Sequence, residues 1–231
     1  MEEINATLGL VVGRLSDENY AQSLDFYRFW FGIAQTYHQI PSDQIFDTIW
    51  ENRETNSINV VRGPLIHPTA HLIVRLASDA ESDNLLAPYS SGIQNRLCTR
   101  SLQQFFSDNL STARRIMNGY ADQASNRFCV DTTLIAHWAN LGYMEESAIR
   151  SHILQSLISH PTFYDHQADA LIILFKLAGA TFEVYADPSV VDRCFELLKG
   201  HCYAPPYSDR DQRYREYHGL RGELRQVRES A

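Results

Sequence analysis

The sequence predicts an all-α protein: stacked antiparallel helical hairpins forming an irregular α-solenoid of about nine to eleven helices. Three observations carry this expectation. Apolar residues recur at spacings of three and four through most of the chain, which is the helical period, and almost nowhere alternate as strands do. The most apolar run, Asp165–Gly179 (DHQADALIILFKLAG), has no polar side chain from Ala170 to Phe175. It is shorter than the roughly 18 apolar residues a membrane span needs, so it reads as a buried central helix. An echo of that run lies 37 residues upstream.

Composition narrows the classes. The chain has 231 residues, enough to bury a real core, with 44% hydrophobic and 21% charged residues, as globular proteins have. A net charge of −8 argues against a general nucleic-acid binder, which needs clustered Lys and Arg. The opening MEEINATLGLVVGRLSDE is acidic where a secretory signal is basic, and its apolar stretch is short. An intracellular protein, cytoplasmic or nuclear and without a membrane segment, is therefore expected. The sequons at Asn5 and Asn109 then read as chance. Cys98, Cys129, Cys194 and Cys202 form no C-x-x-C pair, so free thiols are expected.

In chain order, residues 3–15 form a first helix with Ile4, Leu8, Val11, Val12 and Leu15 on one side. Ser16, followed by Asp17 and Glu18, reads as the N-cap of a second helix reaching about Tyr37. Tyr20, Leu24, Tyr27, Phe31 and Ala34 are its apolar ridge. Ile45, Phe46, Ile49 and Trp50 mark one face of a third helix ending near Asn52. Residues 51–68, with Gly63-Pro64 and Pro68, are the longest candidate loop. A helix from Pro68 follows, a second break over 78–92, then helical patterns at Ile93–Phe106 and Ser111–Ala124. Asp131 and Thr132 read as the cap of a helix through Leu141 that Gly142 ends. Glu145–Ser159, Asp165–Gly179 and Pro188–Lys199 complete the body, and Pro205-Pro206 closes it. One helical domain over 1–206 and a charged C-terminal helix within 207–231 are the expected organisation.

The echo aligns Leu134 with Leu171, Ile135 with Ile172 and Trp138 with Phe175. The next helices align as Ile153 with Val190, Leu154 with Val191, Leu157 with Cys194 and Ile158 with Phe195. Residues 131–200 thus read as two copies of a helix–turn–helix unit that bury their faces by stacking. Trp138-x-x-Leu141-Gly142 is similar to the start of a tetratricopeptide repeat, and Phe175-x-x-Ala178-Gly179-x-x-Phe182 resembles the same stretch with substitutions. Glu145 stands where that family has an aromatic, and the spacing is nearer armadillo or HEAT lengths. The resemblance to these helical-repeat families covers 131–200 only. It implies a surface for protein partners and supplies no catalytic residue.

Candidate chemistry is sparse. His160, Asp165, His166 and Asp169 lie close in sequence, and His166 and Asp169 share a helix face. Such a set could hold a divalent metal, so an α-helical metal-dependent hydrolase is one alternative reading. His67 and His71 have helical ligand spacing, but Pro68 stands where a zinc-protease motif needs Glu. No phosphate-cradling or nucleophile-elbow motif occurs. No catalytic residue, resident metal or cofactor is assigned.

At the C-terminus, Tyr217, Leu220, Leu224 and Val227 step by three, four and three, with Arg221, Arg225 and Arg228 beside them. Gly219 and Gly222 weaken that helix, so it needs something to pack on: the last repeat, a protein partner or a second copy of the chain. The expected function is a non-enzymatic scaffold or adaptor subunit, with this stripe and the 53–66 loop as contact surface. An RNA-associated adaptor using the C-terminal arginines is a further alternative, offset by Glu216, Glu223 and Glu229.

Overall fold

A computed structural model describes residues 2–37, 44–53, 66, 69–117, 121–144, 146–202, 219–220 and 222–223. Every regular element longer than a turn among them is an α-helix, so the all-α class holds. The order is α1 (Glu2–Val12), α2 (Tyr20–Tyr37), α3 (Gln44–Asn52), α4 (Ala70–Ser82), the single turn α5 (Ala87–Ser90), α6 (Ile93–Met117), α7 (Ala121–Asn140), α8 (Ser147–Ile158), α9 (Asp165–Tyr185) and α10 (Pro188–Cys202). The chain divides into two compact units, 1–100 and 101–231, and the division falls within α6.

In the first unit, α1 packs on α3, and their approach is close. A Cβ on Gly9 would stand 2.7 Å from the Asn52 amide. Leu8, Val12, Leu15, Tyr27, Phe31, Ile45 and Ile49 are buried there, which are the faces the spacing predicts. Ser16 does not cap α2, which starts at Tyr20; it closes the turn just before the helix. Its Oγ accepts the Asn19 N–H, and Asn19 Oδ1 accepts the Ser16 N–H, a reciprocal pair like a capping box. Tyr27 stacks on Phe31, and Phe31 packs on Tyr89. Phe46 and Trp50, one turn apart on α3, lie under the guanidinium groups of Arg96 and Arg100, one turn apart on α6.

The second break is shorter than the sequence suggests. Ser78–Ser82 continue α4, because Ala77 and Ala80 bury their side of the helix and leave the polar residues on the other. The break proper is held by side chains. Asp83 accepts the Leu85 and Leu86 N–H groups, and Glu81 accepts Gly92 N–H. Burial opposes the charge on Asp83. The Arg28 guanidinium 2.7 Å away and those two N–H groups still hold its carboxyl below the usual range.

In the second unit α7 and α9 run parallel. Phe128 packs on His166 near one end, and Asn140 Nδ2 donates to the Leu177 carbonyl, 37 residues on, near the other. The following helices pack in the same order: α8 lies against α10, and Ser151 Oγ accepts the Asp187 N–H. Leu134, Ile135, Trp138, Leu171, Ile172 and Phe175 are all buried, as are Ile153, Leu154, Leu157, Val190, Val191, Cys194 and Phe195. α7 thus packs beside α9 and α8 beside α10, with contacting residues about 37 apart in the chain.

Gly142 ends α7 in a Schellman motif. Its φ is +83°, Tyr143 N–H reaches Trp138 O, Gly142 N–H reaches Ala139 O, and the Trp138 and Tyr143 rings meet edge to face. Asp131 and Thr132 do not cap this helix. They lie in mid-α7, fully buried, and Thr132 and Thr133 return their hydroxyl protons to the Phe128 and Cys129 carbonyls. Such back-bonding satisfies the hydroxyl inside a helix, so the residue type alone does not mark a start. Residues 107–110 do not break α6 either, because Asn109 spends its amide on other helices. Cys98, Cys129 and Cys194 are free, and burial pushes the Cys98 and Cys194 thiols up to about 12.

Candidate partner-binding surface

The His/Asp cluster that the sequence singles out is dispersed by the fold. His160 is exposed, in the turn after α8, with Nδ1 3.0 Å from the Thr162 carbonyl. Asp165 opens α9 on the surface, 2.8 Å from His201 Nε2. His166, the next residue, turns fully inward between Phe128, edge to face at 5.4 Å, and Tyr164, stacked at 5.8 Å. Burial drives its pKa down to about 4, and the Asn109 backbone and the Asp165 charge offset this only in part. Neither ring nitrogen completes a well-formed hydrogen bond. Asp169 is buried one turn on. Among the described residues no three His, Cys, Asp or Glu side chains converge to hold a metal ion, so His160, His166 and Asp169 do not form the ligand set the hydrolase alternative requires. His71 points to Asp17 instead, at 3.4 Å, and His67 lies outside the described residues.

Beside His166 a buried amide relay ties three helices together. Gln167 Oε1 accepts the Tyr164 N–H at the start of α9, and its Nε2 donates to Asn109 Oδ1. Asn109 Nδ2 then donates to the Ser156 carbonyl of α8 at 2.7 Å. Both ends of the Asn109 amide are thereby used inside the fold. This relay ties α6, α8 and α9 together.

Several apolar side chains of the second unit face solvent, Leu110 on α6 and others near the ends of α7 and α9. The end of α7 lies beside the break in α9, where Asn140 meets Leu177 and Thr181, and α9 continues to Tyr185. Leu141 is 53% exposed, Val184 54% and Tyr185 52%, with Tyr143 partly so. Thr181 Oγ1 donates to Asn140 Oδ1, and the Arg150 guanidinium lies 4.3 Å over the Tyr185 ring, which joins these turns. The Arg150 stem is buried, so the ring it covers is held in place. Helical spacing does not single out these residues, because Leu141 and Tyr143 lie in the turn after α7 while Val184 and Tyr185 close the last turn of α9.

Nearby, α9 does not end at Gly179 as the sequence suggests. Ala178 leaves helical geometry (φ −132°, ψ 24°), and the helix resumes to Tyr185. Asn140 takes up the Leu177 carbonyl at the break. The break opens a cleft of about 240 Å³ lined by Asn140, Phe175, Lys176, Gly179 and, from the C-terminal stretch, Glu223.

Of the C-terminal stripe, Leu220 is described and is 4% exposed. Tyr217, Arg221, Leu224, Arg225, Val227 and Arg228 lie outside the described residues, as do residues 54–65 of the candidate loop. No helix of the described residues is long and apolar enough to cross a membrane. No protein-family model, curated protein or solved structure matches this chain.

Proposed function

We propose that the chain is a non-enzymatic interaction subunit, a scaffold or adaptor of helical-repeat character, that holds a partner protein. One observation supports this reading above others: Leu141 and Tyr143 after α7, and Val184 and Tyr185 on the last turn of α9, leave large apolar side chains exposed. A rigid stack with apolar side chains at its turns offers a preformed surface, and anchors held by neighbours lose little entropy on binding. The titratable residues that could carry chemistry, His166 and Asp169, are turned inward.

The test compares proteins captured by the full chain and by a Leu141→Asp/Val184→Asp variant, identified by mass. Both side chains are about half exposed, so the variant keeps the wild-type melting temperature. The reading expects at least one partner enriched on the wild type and lost on the variant. A capture profile unchanged by the two charges overturns it.

A further inference from the structure

We propose that the exposed side chains around the start of α8 form one docking site, and that its occupant is a segment of a partner protein pairing large apolar side chains with lysine or arginine. This rests on the interaction reading above and adds the charge of what is bound. Thr181 ties the pieces together. Its Oγ1 donates to Asn140 Oδ1 at 3.1 Å, and its carbonyl accepts the Arg150 guanidinium at 3.4 Å. The turn that carries Leu141, Tyr143 and Glu146 therefore lies between two anchors on the same residue of α9. Val184 and Tyr185 stand three and four residues after Thr181, on its side of the helix. Asp187 follows, and its N–H donates at 2.9 Å to Ser151 Oγ, next to Arg150.

The charges around these apolar groups have one dominant sign. Among the described residues of 141–151 and 181–189 the charged side chains are Glu146, Glu183, Asp187 and Arg150. Arg150 is 2% exposed and its guanidinium lies against the Tyr185 ring, whereas Glu146 and Asp187 are exposed. Glu146 precedes α8, but its side chain makes no capping bond. Ser189 donates its hydroxyl and its N–H to Asp187 Oδ1, which holds that carboxyl below its usual range and keeps it ionised. Carboxylates beside an apolar surface repel the phosphates of lipids and nucleic acids and attract lysine and arginine. The surface therefore selects a basic protein segment among the macromolecules able to cover apolar side chains.

The test measures fluorescence anisotropy of two fluorescein-labelled synthetic amphipathic peptides with the full chain. Both carry the same leucine and tryptophan face, with lysine at the remaining positions of one and glutamate at those of the other. The wild type binds the lysine peptide about tenfold more tightly than the glutamate peptide. Glu146→Gln/Asp187→Asn weakens binding of the lysine peptide about fivefold, and asparagine caps a helix as aspartate does, so the fold is kept. Glu18→Gln/Glu51→Gln removes two exposed carboxylates from the first unit and leaves binding unchanged, which separates the site from the net charge of −8. Equal affinity for the two peptides, no binding of the lysine peptide, or equal losses from the two carboxylate pairs overturns the proposal. If Leu141→Asp/Val184→Asp loses its captured partner while Glu146→Gln/Asp187→Asn binds the lysine peptide as the wild type does, the interaction reading stands and the basic partner falls.

Discussion

His166 should make stability depend on pH between neutrality and about pH 4. The perturbation is protonation of a ring that has no access to water and lies between Phe128 and Tyr164. Its pKa is near 6.5 in the unfolded chain and about 4 in the fold, with burial as the main cause. The sign follows from which state binds the proton first. Above pH 6.5 both states are neutral and the contribution is complete. As pH falls below 6.5 the unfolded chain takes up the proton and the fold does not, so stability declines until about pH 4. At 1.36 kcal/mol per pH unit the whole loss is about 3 kcal/mol, and about 2 kcal/mol of it appears between pH 7.5 and 5. The groups facing the ring work in opposite senses: the Asp165 charge favours the imidazolium and His160 disfavours it. Urea unfolding of the wild type and His166→Phe at pH 7.5 and pH 5 isolates the term, because other histidines and carboxylates titrate in both proteins. Phenylalanine keeps the ring contacts and removes the nitrogens. The difference between the two proteins should grow by about 2 kcal/mol on acidification, in favour of the variant. If the two lose stability in parallel, the ring is not titrating as a desolvated base. If His166→Phe is several kcal/mol less stable already at pH 7.5, the ring nitrogens make bonds that matter, and the reasoning fails in a different way.

Three further outcomes follow from the packing. Gly142→Ala places a Cβ at φ +83° in the Schellman turn and should cost about 1–2 kcal/mol in chemical denaturation, without changing the m value. Asn140→Ala removes the bond to the Leu177 carbonyl and the one from Thr181, and should lower stability by about 1 kcal/mol while hydrogen exchange speeds up near Ala178–Gly179. Gly9→Ala drives a methyl group into the Asn52 amide and should cost roughly 1 kcal/mol. Asn52→Ala in the same chain should recover most of that, a coupling visible in a double-mutant cycle of thermal melts.

Much of the architecture is legible in single residues. Ile45 and Ile49 are buried because they share a helix face, and helical spacing states that directly. Gly142 ends α7 because only a residue free of Cβ strain closes the Schellman turn cheaply. Ser16 closes the turn ahead of α2 because its hydroxyl reaches an N–H three residues away. These are local effects, complete within a few residues of chain.

Errors arise where a side chain is satisfied by something distant. Asp131 and Thr132 have the composition of a helix start, yet tertiary burial places them in mid-helix. The helical pattern lapses between Phe106 and Ser111, yet α6 runs through it and Asn109 bonds Ser156 and Gln167 from within the helix. Gly179 looks like the end of α9, and Asn140, from another helix, supports the helix through the break. His166 and Asp169 look like a candidate metal site, and the inward turn of α9 removes them from solvent.

The sequence by itself determined the all-α class, most helix faces and the aligned pattern in 131–200, because hydrophobic period and caps act over one or two turns. The tertiary structure alone decided which polar residues are consumed inside the fold and which apolar ones are left outside it. The cleft at Ala178 and the edge at Leu141 and Val184 belong to that second class. The cleft brings Asn140 beside residues 175–180, too far apart in the chain for any local pattern to connect.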